Sequence, residues 1–253
     1  MNATAAVGAR EKRAAAIDEL VGEIRQFLAA NGDPAIVAKY GRYFTEGYDA
    51  YGVPDDVLRA KRGEWLERYG PAFGLEGFLD VSDVLWSSGK YEEGRLAIYF
   101  PLQYKAEFRP ETLERIARWF EVGVRNWAHT DTLCYDLTGE FLTRGIVPLE
   151  AFGPWRESPH KFQRRAVPVS MLPLLKRKKD FGPLLDFLRP LMMDGEKVVR
   201  QGLGWFLREA WKKQPGPVEA FLLEWKDTAP RLIFQYATEK MTPENKERFR
   251  RAK

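Results

Sequence analysis

The sequence predicts an all-α protein of stacked helix pairs, on three observations. Apolar residues recur at helical spacing along almost the whole chain. No segment shows the apolar/polar alternation of a half-buried strand. The periodic segments are joined by short turns, and no low-complexity linker divides the 253 residues.

The first element, "AAIDELVGEIRQFLAANGD", places Ile17, Leu20, Val21, Ile24, Phe27 and Leu28 on one stripe, with Gly32 as its C-cap. The segment "PAIVAKYGRYFTEGYDAYG" reads as the next helix. It ends before "GVPDDVLRAKRGEWLERYG", whose Pro54 suits a first helical turn. Further helices are predicted over Leu75–Ser88, Tyr91–Gln103, Pro110–Val124, Trp127–Arg144, His160–Lys176, Phe181–Met193, Glu196–Lys213, Val218–Lys226 and Pro230–Tyr236. They come in pairs of roughly 35–45 residues, the spacing of solenoids of the HEAT or armadillo type, and most carry one apolar stripe suited to stacking on the next pair. No strict sequence repeat is visible, so the repeats are divergent, and a bundle around one core is the structural alternative. The expectation is a single domain over 1–253, with 1–12 and 240–253 as flexible ends.

With 45% hydrophobic and 30% charged residues, the composition is that of a soluble globular protein. Charge interrupts every apolar run well before the roughly 18 residues of a membrane span. The start, "MNATAAVGAREKRAAAIDEL", lacks a signal peptide's apolar block, so a cytoplasmic location and no membrane partner are expected. The single cysteine, Cys134, excludes an intrachain disulfide framework, and two histidines are too few for a zinc cluster. Any metal would need carboxylates, and no metal or cofactor site is expected. His129 and His160 stand in no nucleophile motif, which disfavours histidine-based catalysis. The net charge is only +4, but "RAKR" at Arg59–Arg62, "KRKK" at Lys176–Lys179 and the terminal "RFRRAK" are clustered cations. Such clusters suit a polyanion or simply a solvated face.

Three constellations could carry chemistry. In "NWAHTDTLCYD", Asn126 is a good N-cap, and Trp127, Asp131, Cys134 and Phe141 fall on one narrow stripe. A carboxylate on an apolar face is either a buried aspartate bonded to backbone or arginine, or a catalytic group whose environment is perturbed. In "RQGLGWFLREAWKK", Leu203, Phe206, Leu207 and Ala210 form the apolar stripe, and Trp205 lies opposite with Arg208, Glu209 and Lys212. Trp205 is suited to stacking on a sugar or base while Arg208 and Lys212 take phosphates, or else it is buried against a neighbouring repeat. In "SPHKFQRRAVPVSMLPLLKRKK", Phe162, Ala166, Val169 and Pro173 share a face, with Arg164 opposite it and Arg165 at its edge. Pro168 is expected to kink this helix or shift its start. Lys161 adds a further cation at the beginning of the segment.

Taken together, "NWAHTD", "KFQRRA" and "GWFLRE", with the early "AKYGRYFTEGYDAYGVP", resemble the AlkD family of DNA alkylation repair glycosylases over roughly Leu28–Lys213. Ala128 departs from the acidic residue that the family often carries after the matched tryptophan. The "GVPDDVLR" loop is shorter than the family's usual form. The resemblance implies a right-handed superhelix of HEAT-like repeats whose concave basic surface holds duplex DNA. It implies hydrolysis of the N-glycosidic bond of cationic N3- and N7-alkylpurines by a monofunctional enzyme that has no base-capture pocket. It places the catalytic role on Asp131, with Trp127 and Trp205 against the lesion deoxyribose. It places Arg165 on the DNA backbone, where periodicity alone favours Arg164, and Tyr40 near the DNA. Arg208, Lys161 and Lys212 complete the expected DNA-binding set. A monomer without cofactor or obligate protein partner, nucleoid-associated when bound, is expected. The alternatives are a non-catalytic helical-repeat protein that binds branched or damaged DNA, and a protein–protein scaffold.

Overall fold

The computed structural model describes residues 3–251, with side chains from residue 11. The expected flexible ends fall in part on residues 1, 2, 252 and 253, outside the described residues. No strand occurs among the described residues. The α-helices are α1 (Ala3–Ala30), α2 (Pro34–Gly41), α3 (Asp55–Trp86), α4 (Tyr91–Leu102), α5 (Pro110–Ala117), α6 (Trp119–Val122), α7 (Trp127–Thr132), α8 (Gly139–Thr143), α9 (Lys161–Met171), α10 (Gly182–Leu188), α11 (Lys197–Trp211), α12 (Pro215–Trp225), α13 (Arg231–Ala237) and α14 (Pro243–Glu247). Short 3-10 turns connect several of them. No described helix is long and apolar enough to cross a membrane. The chain forms two compact units. One runs to Phe108 and takes in Arg118–His129; the other comprises Arg109–Ala117 and the chain from Thr130 onward.

In the first unit α3 packs against α1, α4 and α6. The predicted stripe of α1 is its buried face: Leu20, Ile24 and Leu28 are fully covered. Trp65 meets Phe27 edge-on at 5.5 Å, and Phe78 stacks on Phe100 at 4.9 Å. Gly32 is not a left-handed cap, because its φ is not positive. It is glycine because a Cβ there would lie 2.6 Å from the Tyr51 carbonyl oxygen.

The second predicted helix stops at Gly41, about eleven residues short of its expected end. The reason lies on α4. The buried Glu92 carboxylate accepts the backbone N–H groups of Tyr51 (2.9 Å), Gly52 (2.8 Å) and Val53 (3.2 Å), so this segment's amides are satisfied by a side chain and not by a helical ladder. Gly47 and Gly52, with φ of 99° and 82°, turn the chain where no helix can continue. Two predicted helices instead run together as α3, bent at Gly74, whose φ of 54° and ψ of −158° only glycine adopts readily.

In the second unit α11 packs on α9, α12 and α13. The predicted stripe of Leu203, Phe206, Leu207 and Ala210 is fully buried. Helix α9 runs through Pro168 to Met171, and α11 together with neighbouring turns covers it on more than one side. Residues 165–171 are therefore all buried, where a one-faced helix was expected. The helix predicted over Trp127–Arg144 is three pieces: α7, a π-helical stretch at Leu133–Thr138, and α8. The wider π turn shifts the phase of every later side chain.

Candidate active site

In the second unit Asp131 occupies the last turn of α7. Its carboxylate is gripped by Arg165 of α9 through two parallel hydrogen bonds: Nε donates to Oδ1 at 2.8 Å and Nη2 to Oδ2 at 2.7 Å. The third arm, Nη1, donates to the Val198 carbonyl at 2.6 Å, at the start of α11. All three nitrogens of the fork are thus engaged within the protein, which fixes the plane of the guanidinium and hence that of the carboxylate. The Arg165 side chain is 7% exposed and that of Asp131 17%. Burial pushes the Asp131 carboxyl above its ordinary value, while the hydrogen bonds and charge of Arg165 pull it down.

A glycine makes this arrangement possible. At Gly202 a Cβ would stand 3.0 Å from Arg165 Cγ, so α11 presents bare backbone where the arginine stem passes. Two positions on, a Cβ at Gly204 would be 2.5 Å from Tyr236 Cβ and 2.9 Å from the Ile233 carbonyl oxygen. The "GLG" of "RQGLGWFLREAWKK" is therefore a contact surface. Its signal in the sequence was a pair of glycines inside a helix, each costing up to about 1 kcal/mol against alanine without such a reason.

The neighbouring Arg164, which periodicity placed on an open face, is also engaged. Its Nε donates to Asp194 at 2.6 Å and its Nη1 to the Ser158 carbonyl at 2.7 Å. Trp205 is half-buried on the face of α11 opposite the apolar stripe, as expected. Beside it Arg208 pairs with Glu209 and Glu239, and Lys212 with Glu209 at 2.7 Å, so both cations face carboxylates. The Lys161 ammonium lies 5.4 Å from the Phe162 ring centroid. Cys134 is buried, and burial raises its thiol to about 12, which leaves it inert as a nucleophile.

In the first unit the Trp127 indole is 40% exposed. Its Nε1 donates to the Tyr43 carbonyl at 3.2 Å. Its ring stacks on Phe44 (5.5 Å, 17°), which stacks in turn on Tyr48 (4.5 Å, 19°). Tyr40, 43% exposed, has the Lys39 ammonium 5.3 Å from its ring. Asn126 caps α7 as predicted, its Oδ1 accepting the His129 amide at 2.8 Å. His129 itself is sealed. Its Nε2 lies 2.9 Å from the Tyr91 carbonyl and must donate, so its Nδ1 accepts from Asn126 at 3.0 Å, and the ring is neutral. Burial holds its pKa down at about 4.

No described group of three His, Cys, Asp or Glu side chains could hold a metal ion.

Comparison with known proteins bears on the fold and the family. Two of the similar solved structures illustrate the likeness. One is described as a predicted DNA alkylation repair enzyme from Enterococcus faecalis: TM-score 0.72, 17% identity, covering 84% of this chain and 98% of that one. The other is AlkD2 from Streptococcus mutans: TM-score 0.55, 20% identity, covering 82% and 97%. At these identities the likeness establishes the all-α helical-repeat fold. No curated protein matches. The model of the DNA alkylation repair enzyme family matches residues 24–241, which take in the Trp127–Asp131 turn, Arg165 and "GWFLRE", and the chain belongs to that family.

Proposed function

We propose that the protein is a DNA glycosylase that hydrolyses the N-glycosidic bond of cationic N3- and N7-alkylpurines in duplex DNA. The observation that carries this reading is the Asp131–Arg165 fork. It holds a carboxylate in one orientation, and it uses two of the roughly four lone-pair sites of the carboxylate, leaving acceptor capacity for a water.

An alkylated purine with a positive charge needs no general acid, because cleavage of C1′–N returns an electron pair to the base and neutralises it. The deficit is on the sugar. A fixed carboxylate stabilises the developing oxocarbenium charge and orients the attacking water, whose proton passes to Asp131 and then to solvent as oxygen bonds to C1′. The family resemblance assigns Trp127 and Trp205 to the sugar, where an aromatic face is worth about 0.5–2 kcal/mol toward a cation. Arg165 acts on this reading by orienting Asp131. A direct contact with the DNA backbone would require the fork to open. Tyr40, Lys161, Arg208 and Lys212 are assigned to the DNA, the last two exchanging carboxylates for phosphates. The protein is assigned as a monomer that acts in the cytoplasm on nucleoid DNA, without cofactor or obligate partner.

The test is release of N7-methylguanine and N3-methyladenine from methylated duplex DNA by the purified protein. Asp131→Asn should lower release by about 100-fold or more. No release by the wild type overturns the activity, and release that survives in Asp131→Asn overturns the assigned role.

The fork also favours a second reading. A carboxylate held by both oxygens on one arginine is how a chain builds a structural ion pair, and a non-catalytic binder of branched or damaged DNA would keep it. That reading expects salt-dependent DNA binding without base release.

A further inference from the structure

A cavity of about 200 Å³ in the first unit lies between α3 and α4, lined by Asp55, Arg59, Arg62, Arg95 and Tyr99 together with Leu58 and Leu96. Three guanidinium groups and one carboxylate give it a net charge of +2. The carboxylate is already committed, since Asp55 accepts from Arg59 at 2.6 Å and pairs with Arg95. Arg62 makes no ion pair among the described residues, and its Nε is buried without a hydrogen-bond partner. Its guanidinium carbon lies 4.5 Å from the Tyr99 ring centroid, and that of Arg95 lies 5.8 Å away. Burial holds the Arg62 guanidinium below the usual arginine value, with Tyr99 and Asp55 opposing the shift and the charges of Arg95 and Arg59 adding to it. The fold thus gathers more positive charge in a partly desolvated hollow than it neutralises there.

We infer that this pocket is a binding site for a dianionic phosphate. Guanidinium forks match tetrahedral oxyanions in geometry, and a dianion cancels the residual +2 where a carboxylate or a phosphodiester would leave one charge over. The space is several times the roughly 30 Å³ share of one water, enough for a phosphate with part of its shell. Because Arg62 and Arg95 already lie over the Tyr99 ring, recognition is of the phosphate and not of a stacked base. Two sources share this chemistry: free inorganic phosphate, and a monoester phosphate that ends a nucleic-acid strand. The inference is independent of the glycosylase reading.

The experiment titrates the full chain with sodium phosphate at pH 8 and constant ionic strength, followed by calorimetry and by thermal shift. Saturable binding is expected, lost in Arg62→Gln, whose fold is checked by circular dichroism and by its phosphate-free melting temperature. Asp55→Asn, which raises the net charge of the pocket to +3, should bind phosphate several-fold more tightly. Absence of saturable binding by the wild type, unchanged binding in Arg62→Gln, or no tightening in Asp55→Asn overturns the proposal. A second arm compares one unmethylated duplex carrying 5′-phosphate or 5′-hydroxyl ends. Tighter binding of the phosphorylated form that vanishes in Arg62→Gln identifies a strand end as the ligand. Equal binding of the two, with inorganic phosphate still titrating, identifies the free ion.

Discussion

Arg165 holds both oxygens of the Asp131 carboxylate at once, at 2.8 and 2.7 Å, and reaches across to the Val198 carbonyl at 2.6 Å with its remaining arm. Removing the arginine leaves a largely buried charge, 17% exposed, without its partner. Arg165→Gln should therefore cost about 3 kcal/mol of stability, read as a lower urea midpoint. Arg165→Lys keeps the charge but cannot fork, and should fall between the two. A loss below about 0.5 kcal/mol in Arg165→Gln would show that the pair contributes little.

Base release should depend on pH through the same carboxylate. Only the ionised form can stabilise a cationic sugar, so activity is present above its pKa and is lost as pH falls through it. Burial places that pKa above the ordinary carboxylate value. The acid limb of kcat/KM should sit correspondingly high, and it should move higher still in Arg165→Gln, where the opposing charge is gone. An acid limb unmoved by that substitution would separate Asp131 from the limb.

His129 predicts an acid sensitivity of folding. Its folded pKa of about 4 lies below the unfolded value of 6.5, so between these values the unfolded chain binds the extra proton and stability declines as pH falls. The difference of 6.5 − 4 = 2.5 units corresponds to about 3 kcal/mol lost by pH 4, and none above about pH 7. Chemical denaturation of His129→Gln across this range should show a shallower slope. An equal slope would assign the acid sensitivity to other groups.

Glycines in helices provide a test of sign. Gly22 of α1 has nothing within 4 Å of an added Cβ, so Gly22→Ala should stabilise by up to about 1 kcal/mol. Gly204→Ala would drive a methyl into Tyr236 and the Ile233 backbone, and should cost about 1–3 kcal/mol despite the same gain in propensity. Similar effects from both would mean that α11 and α13 can move apart freely.

The sequence by itself determined what depends on local periodicity: the all-helical class, the buried faces of α1 and α11, and the cap at Asn126. Apolar spacing and capping at these elements are written within one or two turns of the chain. It also picked out the turn carrying Trp127 and Asp131, because a carboxylate on an apolar stripe is locally anomalous. Only the tertiary structure decided the rest. Glu92, about forty residues away, ended α2 early by satisfying the amides of Tyr51–Val53. The coverage of α9 on several sides made both Arg164 and Arg165 internal, where a single helical wheel allows only one exposed face. The partner of Asp131 was decided by α9 and α11 together, through the fork of Arg165 and the missing side chain of Gly202. A pairing between helices depends on distances that no spacing within either helix records.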